Sequence, residues 1–294
     1  MTHVSARRGT FYVSVAATAW GTGGAAGSLL FETGGLGPVG VSLWRYLLGA
    51  AFLLVLARRA RVGGLLNGPL NGRLLVVGAG MAVYQTAYFA AIAHSGVAVA
   101  TVVTMGATPV FTALGSRFLL RERLGRVGLV ALAAALAGLV LLTGEAAVQA
   151  RASSALGVAF ALTSAAGYAG VTLLSRRHNG DDPVTVAVGG FVVGAVCLAP
   201  FALTEGVVPV LTWETVALLV YLGAVPTALA YGLFFRALTA LRATTVSIIS
   251  LGEAVGAALL GVVVFGERLT PAAWCGCALL LAAVVVLTTR ADTA

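Results

Sequence analysis

Arg121-Glu122-Arg123-Leu124 recurs, almost intact, as Gly266-Glu267-Arg268-Leu269. Each copy closes a long apolar run, and each is followed by another. Glu122 and Glu267 stand 145 positions apart in a chain of 294 residues, so the sequence reads as two similar halves laid end to end. Each half holds an odd number of apolar runs. If those runs cross a membrane, the second half lies upside down relative to the first.

Composition says that they do cross one. The chain is 60% apolar and only 10% charged, with a mean hydropathy of +1.01. Soluble domains carry about 25% charged residues, so this chain cannot cover its surface with polar groups and its solvent is lipid. Spanning the hydrocarbon takes about 20 helical residues, and ten runs of that kind are present. The first five are Thr10–Leu30, Val39–Ala57, Leu74–His94, Val97–Leu119 and Val127–Thr143. The second five are Ala155–Leu174, Val184–Leu203, Thr215–Phe235, Ala243–Val264 and Pro271–Leu287. The loops between them are short and rich in Gly, Pro, Asn and Asp. The predicted fold is an all-α integral membrane protein of ten transmembrane helices, arranged as two inverted five-helix repeats over residues 1–144 and 155–290. The basic leader Met1–Arg8 precedes a run long enough to span, so it reads as the start of an uncleaved first helix.

The net charge is +8 and every cation is Arg. The arginines fall in short clusters between apolar runs, without the interleaved aromatics that stack bases, so nucleic acid is excluded as a partner. They orient the chain instead. With the N-terminus in the cytoplasm, fifteen arginines lie inside: Arg7, Arg8, Arg58, Arg59, Arg61, Arg73, Arg117, Arg121, Arg123, Arg126, Arg176, Arg177, Arg236, Arg242 and Arg290. Only Arg151 and Arg268 lie outside. That bias places both termini in the cytoplasm of a cell-membrane protein. An inverted pair of membrane repeats is the pattern of a secondary carrier.

Several features read as structure. Cys197, Cys275 and Cys277 sit within apolar runs at spacings that make no metal clamp, and they are packing residues. Gly21-Thr22-Gly23-Gly24 lies in a membrane run with no strand before it and no Lys, so it is no phosphate loop. The pairs Gly23 and Gly27, Gly190 and Gly194, and Gly252 and Gly256 have helix-packing spacing. His178-Asn179-Gly180-Asp181-Asp182 is a solvated turn rather than a metal site. No catalytic set, metal site or cofactor site is recognised.

The chain resembles the EamA family of the drug/metabolite transporter superfamily over essentially its full length. The resemblance is carried by Pro109-Val110-Phe111 leading to Arg121-Glu122-Arg123-Leu124, and by Glu253-Ala254-Val255 leading to Gly266-Glu267-Arg268-Leu269. Arg45 after Pro38, and Ala19-Trp20-Gly21, fit it too. The second half has Glu253-Ala254 where the family often has Glu-Pro, so a break in the ninth helix would lack its proline. The resemblance implies a central cavity between the repeats and movement of small organic metabolites, commonly export of amino acids or toxic compounds.

Individual residues carry competing readings. Glu253 lies midway along the ninth run, where a carboxylate costs at least about 2.5–3.5 kcal/mol. It is either a substrate-amine or proton-coupling group, or a buried acid bonded to a neighbouring helix. Thr108-Pro109 is its counterpart in the first half, and Pro109 frees a carbonyl one turn earlier. Arg45 is too deep to reach the surface; it is an internal structural strut or a ligand for a substrate carboxylate. Tyr84, Gln85 and Tyr88 in the third run, Tyr231 in the eighth, and Trp20 with Tyr168 in the first and sixth are packing or cavity-lining groups. Glu122 and Glu267 orient their turns through local ion pairs.

The functional expectation is therefore a secondary exporter of small organic solutes working by alternating access, with protons as a possible coupling ion. An importer or exchanger of the same fold is one alternative, and a lipid-modifying membrane enzyme another. The partners expected are a small-molecule substrate and the bilayer, and the sequence does not decide the oligomeric state.

Overall fold

The computed structural model describes residues 4–57, 72–122, 124–149, 154–178, 182–265 and 268–291. The described residues are mostly helical, without strands. The helices are α1 (Ala6–Gly21), α2 (Gly23–Thr33), α3 (Pro38–Ala57), α4 (Gly72–Gly115), α5 (Arg126–Gln149) and α6 (Ala155–Arg177), then α7 (Pro183–Glu205), α8 (Trp213–Gly223), α9 (Ala230–Leu238), α10 (Ala243–Ser250), α11 (Gly252–Phe265) and α12 (Pro271–Ala291). Glu267, Arg123, Arg151 and Asn179 to Asp181 lie outside the described residues.

The loops start helices with the expected capping chemistry. Ser5, Ser154, Asp182 and Thr212 each accept a hydrogen bond from the backbone N–H three residues on, relieving one of the free donors of a first turn. Pro183 follows the Asp182 cap at the first helical position, where its missing N–H costs nothing.

Seven helical stretches among the described residues are long and apolar enough to cross a membrane, while Ala243–Leu259 and Pro271–Leu287 are apolar but shorter. The difference from ten uniform runs has local causes. The first run is broken at Thr22 into α1 and α2, within Gly21-Thr22-Gly23-Gly24, where glycines weaken the helix. The boundary expected between the third and fourth runs is present within α4, at Gly96, whose φ 75° and ψ 165° are open essentially to glycine alone. Tyr88 and Thr101 share a 3.1 Å hydrogen bond across this point, whereas thirteen residues of straight helix would separate them by ~20 Å, so α4 is two arms folded back on each other. Between α8 and α9 the chain forms a π-helical stretch, Ala224–Leu229, around Pro226. The ninth run breaks at Leu251 even though proline is absent there, with Ser247, Ser250 and Gly252 around the turn. Pro109, by contrast, sits inside the second arm of α4 without ending it.

Packing joins the halves throughout. α3 lies against α7, α5 against α12, and α1 against α9, α10 and α11, while α6 runs along both arms of α4. The outward surface carries Phe118, Val196, Leu203 and Val263 as strongly exposed side chains. In water such a surface would aggregate; here lipid covers it.

The α5–α12 contact is made through glycine. A Cβ added to Gly138 would lie 2.8 Å from the Gly276 carbonyl oxygen and 3.0 Å from the Leu280 nitrogen. One added to Gly276 would lie 2.5 Å from the Gly138 oxygen. These are backbone atoms, which cannot rotate away. Gly138→Val is expected to cost about 1–3 kcal/mol by overpacking, read as a lower melting temperature in detergent. An unchanged melting temperature would show that the two helices separate freely.

Candidate functional site

Two of the helix interruptions, at Thr22 and Leu251, border one cavity. Trp20 and Gly24 flank the Thr22 break, Tyr84, Gln85 and Tyr88 come from the first arm of α4, and Thr104, Met105 and Thr108 from the second. Ser164 and Tyr168 of α6, Tyr231 of α9, and Ser247, Ser250, Leu251 and Glu253 around the α10–α11 break complete the wall with Arg45 of α3. The cavity itself is small, about 50 Å³, room for a few water molecules as the protein stands.

Its frame is aromatic. Tyr84 and Tyr231 are hydrogen-bonded through their hydroxyls. The Trp20 ring meets Tyr168 edge-on at 6.1 Å and lies 5.1 Å from Tyr231 and 5.3 Å from Phe234. Such pairs contribute ~0.5–1.5 kcal/mol each beyond area burial, so this wall is rigid. Ser164 donates to the Tyr84 carbonyl at 2.8 Å, tying α6 to α4. Tyr168 and Ser250 hydroxyls are 3.4 Å apart, tying α6 to α10.

Two charges face this space. Glu253 is 9% exposed, and its carboxyl has no hydrogen-bond or ion-pair partner among the described residues. Arg45 is 4% exposed and well held: Nε donates to Thr227 Oγ1 at 2.8 Å and Nη2 to the Pro226 carbonyl at 2.9 Å. Proline at 226 has no N–H, and Thr227 Oγ1 donates instead to the Leu222 carbonyl at 2.6 Å. The π-helical stretch and Arg45 therefore satisfy one another. The guanidinium carbon also lies 6.0 Å from the ring centres of Phe89 and Tyr231.

Two segments of the chain, residues 7–144 and 155–289, match the EamA-like transporter family. The chain belongs to that family. It is similar to the uncharacterized transporter YwfM of Bacillus subtilis (strain 168), 32% identical over 282 residues, covering 95% of this chain and 93% of the relative. An uncharacterized transporter of Archaeoglobus fulgidus is 30% identical over 212 residues, covering 70% of this chain and 74% of its own. A solved crystal structure shares the fold over 98% of this chain and 100% of its own, with a TM-score of 0.82 at 23% identity. As an EamA-like transporter of the drug/metabolite transporter superfamily, the chain is a multi-pass membrane protein.

The sequence-selected residues distribute as follows in this family member. Trp20, Tyr84, Gln85, Tyr88, Thr108, Tyr168, Tyr231 and Glu253 all line the cavity. Pro109 is buried beside it but does not line it, because Thr108 takes the inward position. Arg45 is held as a strut, one of the two roles the sequence leaves open, and it also lines the cavity. Glu122 pairs with Arg176 of α6, Oε1 to Nε at 3.5 Å, an ion pair to a neighbouring helix. Gly24, Thr104, Met105, Ser164, Ser247, Ser250 and Leu251 line the cavity and were not singled out. A helical-face rule finds Thr104, Ser164 and Ser250, which sit three or four residues before Thr108, Tyr168 and Glu253.

Proposed function

We propose that this protein is a secondary carrier that exports small organic metabolites across the cell membrane by alternating access, with Glu253 as the group that couples transport to protons. Its ten runs form two inverted five-helix halves with both termini in the cytoplasm, and the cavity between the halves is the translocation site. The observation that carries this reading is that corresponding stretches of the two halves touch at the centre. Tyr84 and Tyr231, 147 positions apart, share a hydrogen bond. Trp20 and Tyr168, 148 apart, make a ring contact, and Tyr46 stacks on Phe191, 145 apart, with ring centres 5.3 Å apart. Thr108 and Glu253, also 145 apart, line the same cavity. Corresponding stretches of two repeats meet in this way near an axis that relates them. The packing supports the same symmetry, since α3 on α7 and α5 on α12 are each a run against its counterpart. A solute held on such an axis faces two structurally equivalent exits, which is the geometric requirement for alternating access.

The carrier reading is tested without naming a substrate. Proteoliposomes of the wild type and of Gly24→Trp, which fills the cavity, are incubated in a small-molecule cell extract, and their contents are read by mass spectrometry. At least one organic solute should enter wild-type vesicles and not the variant's. Identical contents would sink the carrier reading. Export is tested by comparing inside-out with right-side-out vesicles.

Orientation has its own test. Cysteines placed at 123 and 268 should react oppositely with an impermeant thiol reagent in whole cells, label appearing at 268 alone. Label at 123 without label at 268 would refute the cytoplasmic placement of the termini.

A further inference from the structure

Resting on the carrier reading, we propose that a second pocket is the cytoplasmic vestibule through which solute reaches the central cavity, and that the contact of Ser116 with Thr244 is the gate between the two. The pocket holds about 410 Å³, within the range of small-molecule sites, whereas the central cavity holds only about 50 Å³. Ala6 and Leu287, near the two ends of the chain, line it and place it on the face of the termini. Its walls come from both halves: Glu122, Gly125 and Val127 from the first, and Arg176, Arg242 and Thr245 from the second. Walls this polar fit a wet space rather than a lipid-filled crevice.

The partition between the two spaces is thin. On α10, Thr244 and Ile248 line the pocket, while Ser247 and, just past the helix, Leu251 line the cavity. Three residues of helix rise only ~4.5 Å. Thr108, Thr112 and Ser116 stand one turn apart along the second arm of α4 and the π-helical stretch Ser116–Leu120 that continues it, and all three are buried. Thr108 lines the cavity, and Ser116 Oγ accepts a hydrogen bond from Thr244 Oγ1 at 3.2 Å. A stripe of hydroxyls therefore runs from the cavity to the pocket and is closed by one neutral hydrogen bond between the halves. Ser247 Oγ, on the cavity side of that closure, is buried without a hydrogen-bond partner among the described residues, and water or solute satisfies it once the partition opens. The Glu122–Arg176 pair ties the same two halves at the pocket wall, its side chains 19% and 20% exposed. Neither contact resists separation strongly, unlike the backbone approach of Gly138 and Gly276. The hydroxyl bond has no twin on the opposite face, because the positions 145 away from Thr244 and Ser116 are Val99 and Gly261.

The test uses the full chain with Cys197→Ala, Cys275→Ala and Cys277→Ala. Ser116→Cys with Thr244→Cys puts two thiols where two hydroxyls now bond. Oxidation, with the cross-link verified by mass spectrometry, should cut solute entry from the cell extract into proteoliposomes at least about tenfold, and reduction should restore it. Undiminished entry with the cross-link formed overturns the gate and leaves the carrier reading standing. A wild type that admits no solute sinks the carrier reading itself, and the gate with it. A second measurement needs neither a cross-link nor a solute. Ser247→Cys in the same background is exposed to an impermeant thiol reagent in inside-out vesicles, which present the cytoplasmic face. Adding Thr244→Ala, which thins the partition, should speed labelling at position 247 at least about tenfold. Equal rates with and without Thr244→Ala overturn the proposal, because Thr244 would then not separate the pocket from the cavity.

Discussion

Glu253→Gln is expected to fold, reach the membrane and lose accumulation driven by an imposed pH gradient, while downhill exchange continues. Gln keeps the shape of the side chain, and the Glu253 carboxyl makes no hydrogen bond to the described protein whose loss would unfold it. What the change removes is a group that can take and release a proton as the cavity faces each side in turn. The measurement is proteoliposome transport with and without a pH gradient at matched protein levels, using a solute identified from the cell extract. Unchanged pH-driven accumulation would assign Glu253 to packing or to solute contact and exclude the coupling role. Its burial at the cavity wall makes coupling physically reasonable, because a carboxylate kept from water is retained only where it meets a partner or serves a function.

Gly21→Val should be the most damaging small substitution in the chain's centre. A Cβ at Gly21 would stand 2.5 Å from the Glu253 carbonyl oxygen and 2.8 Å from the Ala257 nitrogen. Both are backbone atoms of α11, so the helix itself must move. The expected cost is about 1–3 kcal/mol, together with loss of transport, because the displaced segment is the one that holds Glu253 against the cavity. Gly170→Ala is the control: nothing lies within 4 Å of its added methyl, and alanine there should be neutral or mildly stabilising. Melting temperature and transport are read for both variants. Equal behaviour would mean that the α1–α11 contact does not set the cavity.

Much of the cavity was legible in the sequence for one physical reason. In lipid a polar side chain at mid-helix must find a partner or face a wet space, so Glu253 and Gln85 announced themselves by type and depth. Thr108 was legible only through the duplication, as the counterpart of Glu253, and the duplication likewise matched Trp20 with Tyr168 and pointed to Tyr231 in the eighth run. Serines and threonines such as Ser247 and Thr104 gave no such signal, since a hydroxyl in a membrane helix usually satisfies itself on the carbonyl one turn back. Thr108 does so, on Thr104, and still lines the cavity.

By itself the sequence determined the all-helical membrane class, the duplication and the depth of the buried charges. Those follow from hydropathy and spacing, which are properties of the chain read along its length. Only the tertiary structure decided how the first and ninth runs are interrupted and what Arg45 does. The fold-back at Gly96 falls between the third and fourth runs, where the spacing puts it, whereas the ninth run turns at Leu251 without a proline and the first at Thr22, at points that hydropathy does not mark. Arg45 is both strut and cavity wall because Pro226 and Thr227, about 180 residues away, offer it a carbonyl and a hydroxyl. No pattern within its own helix carries that information.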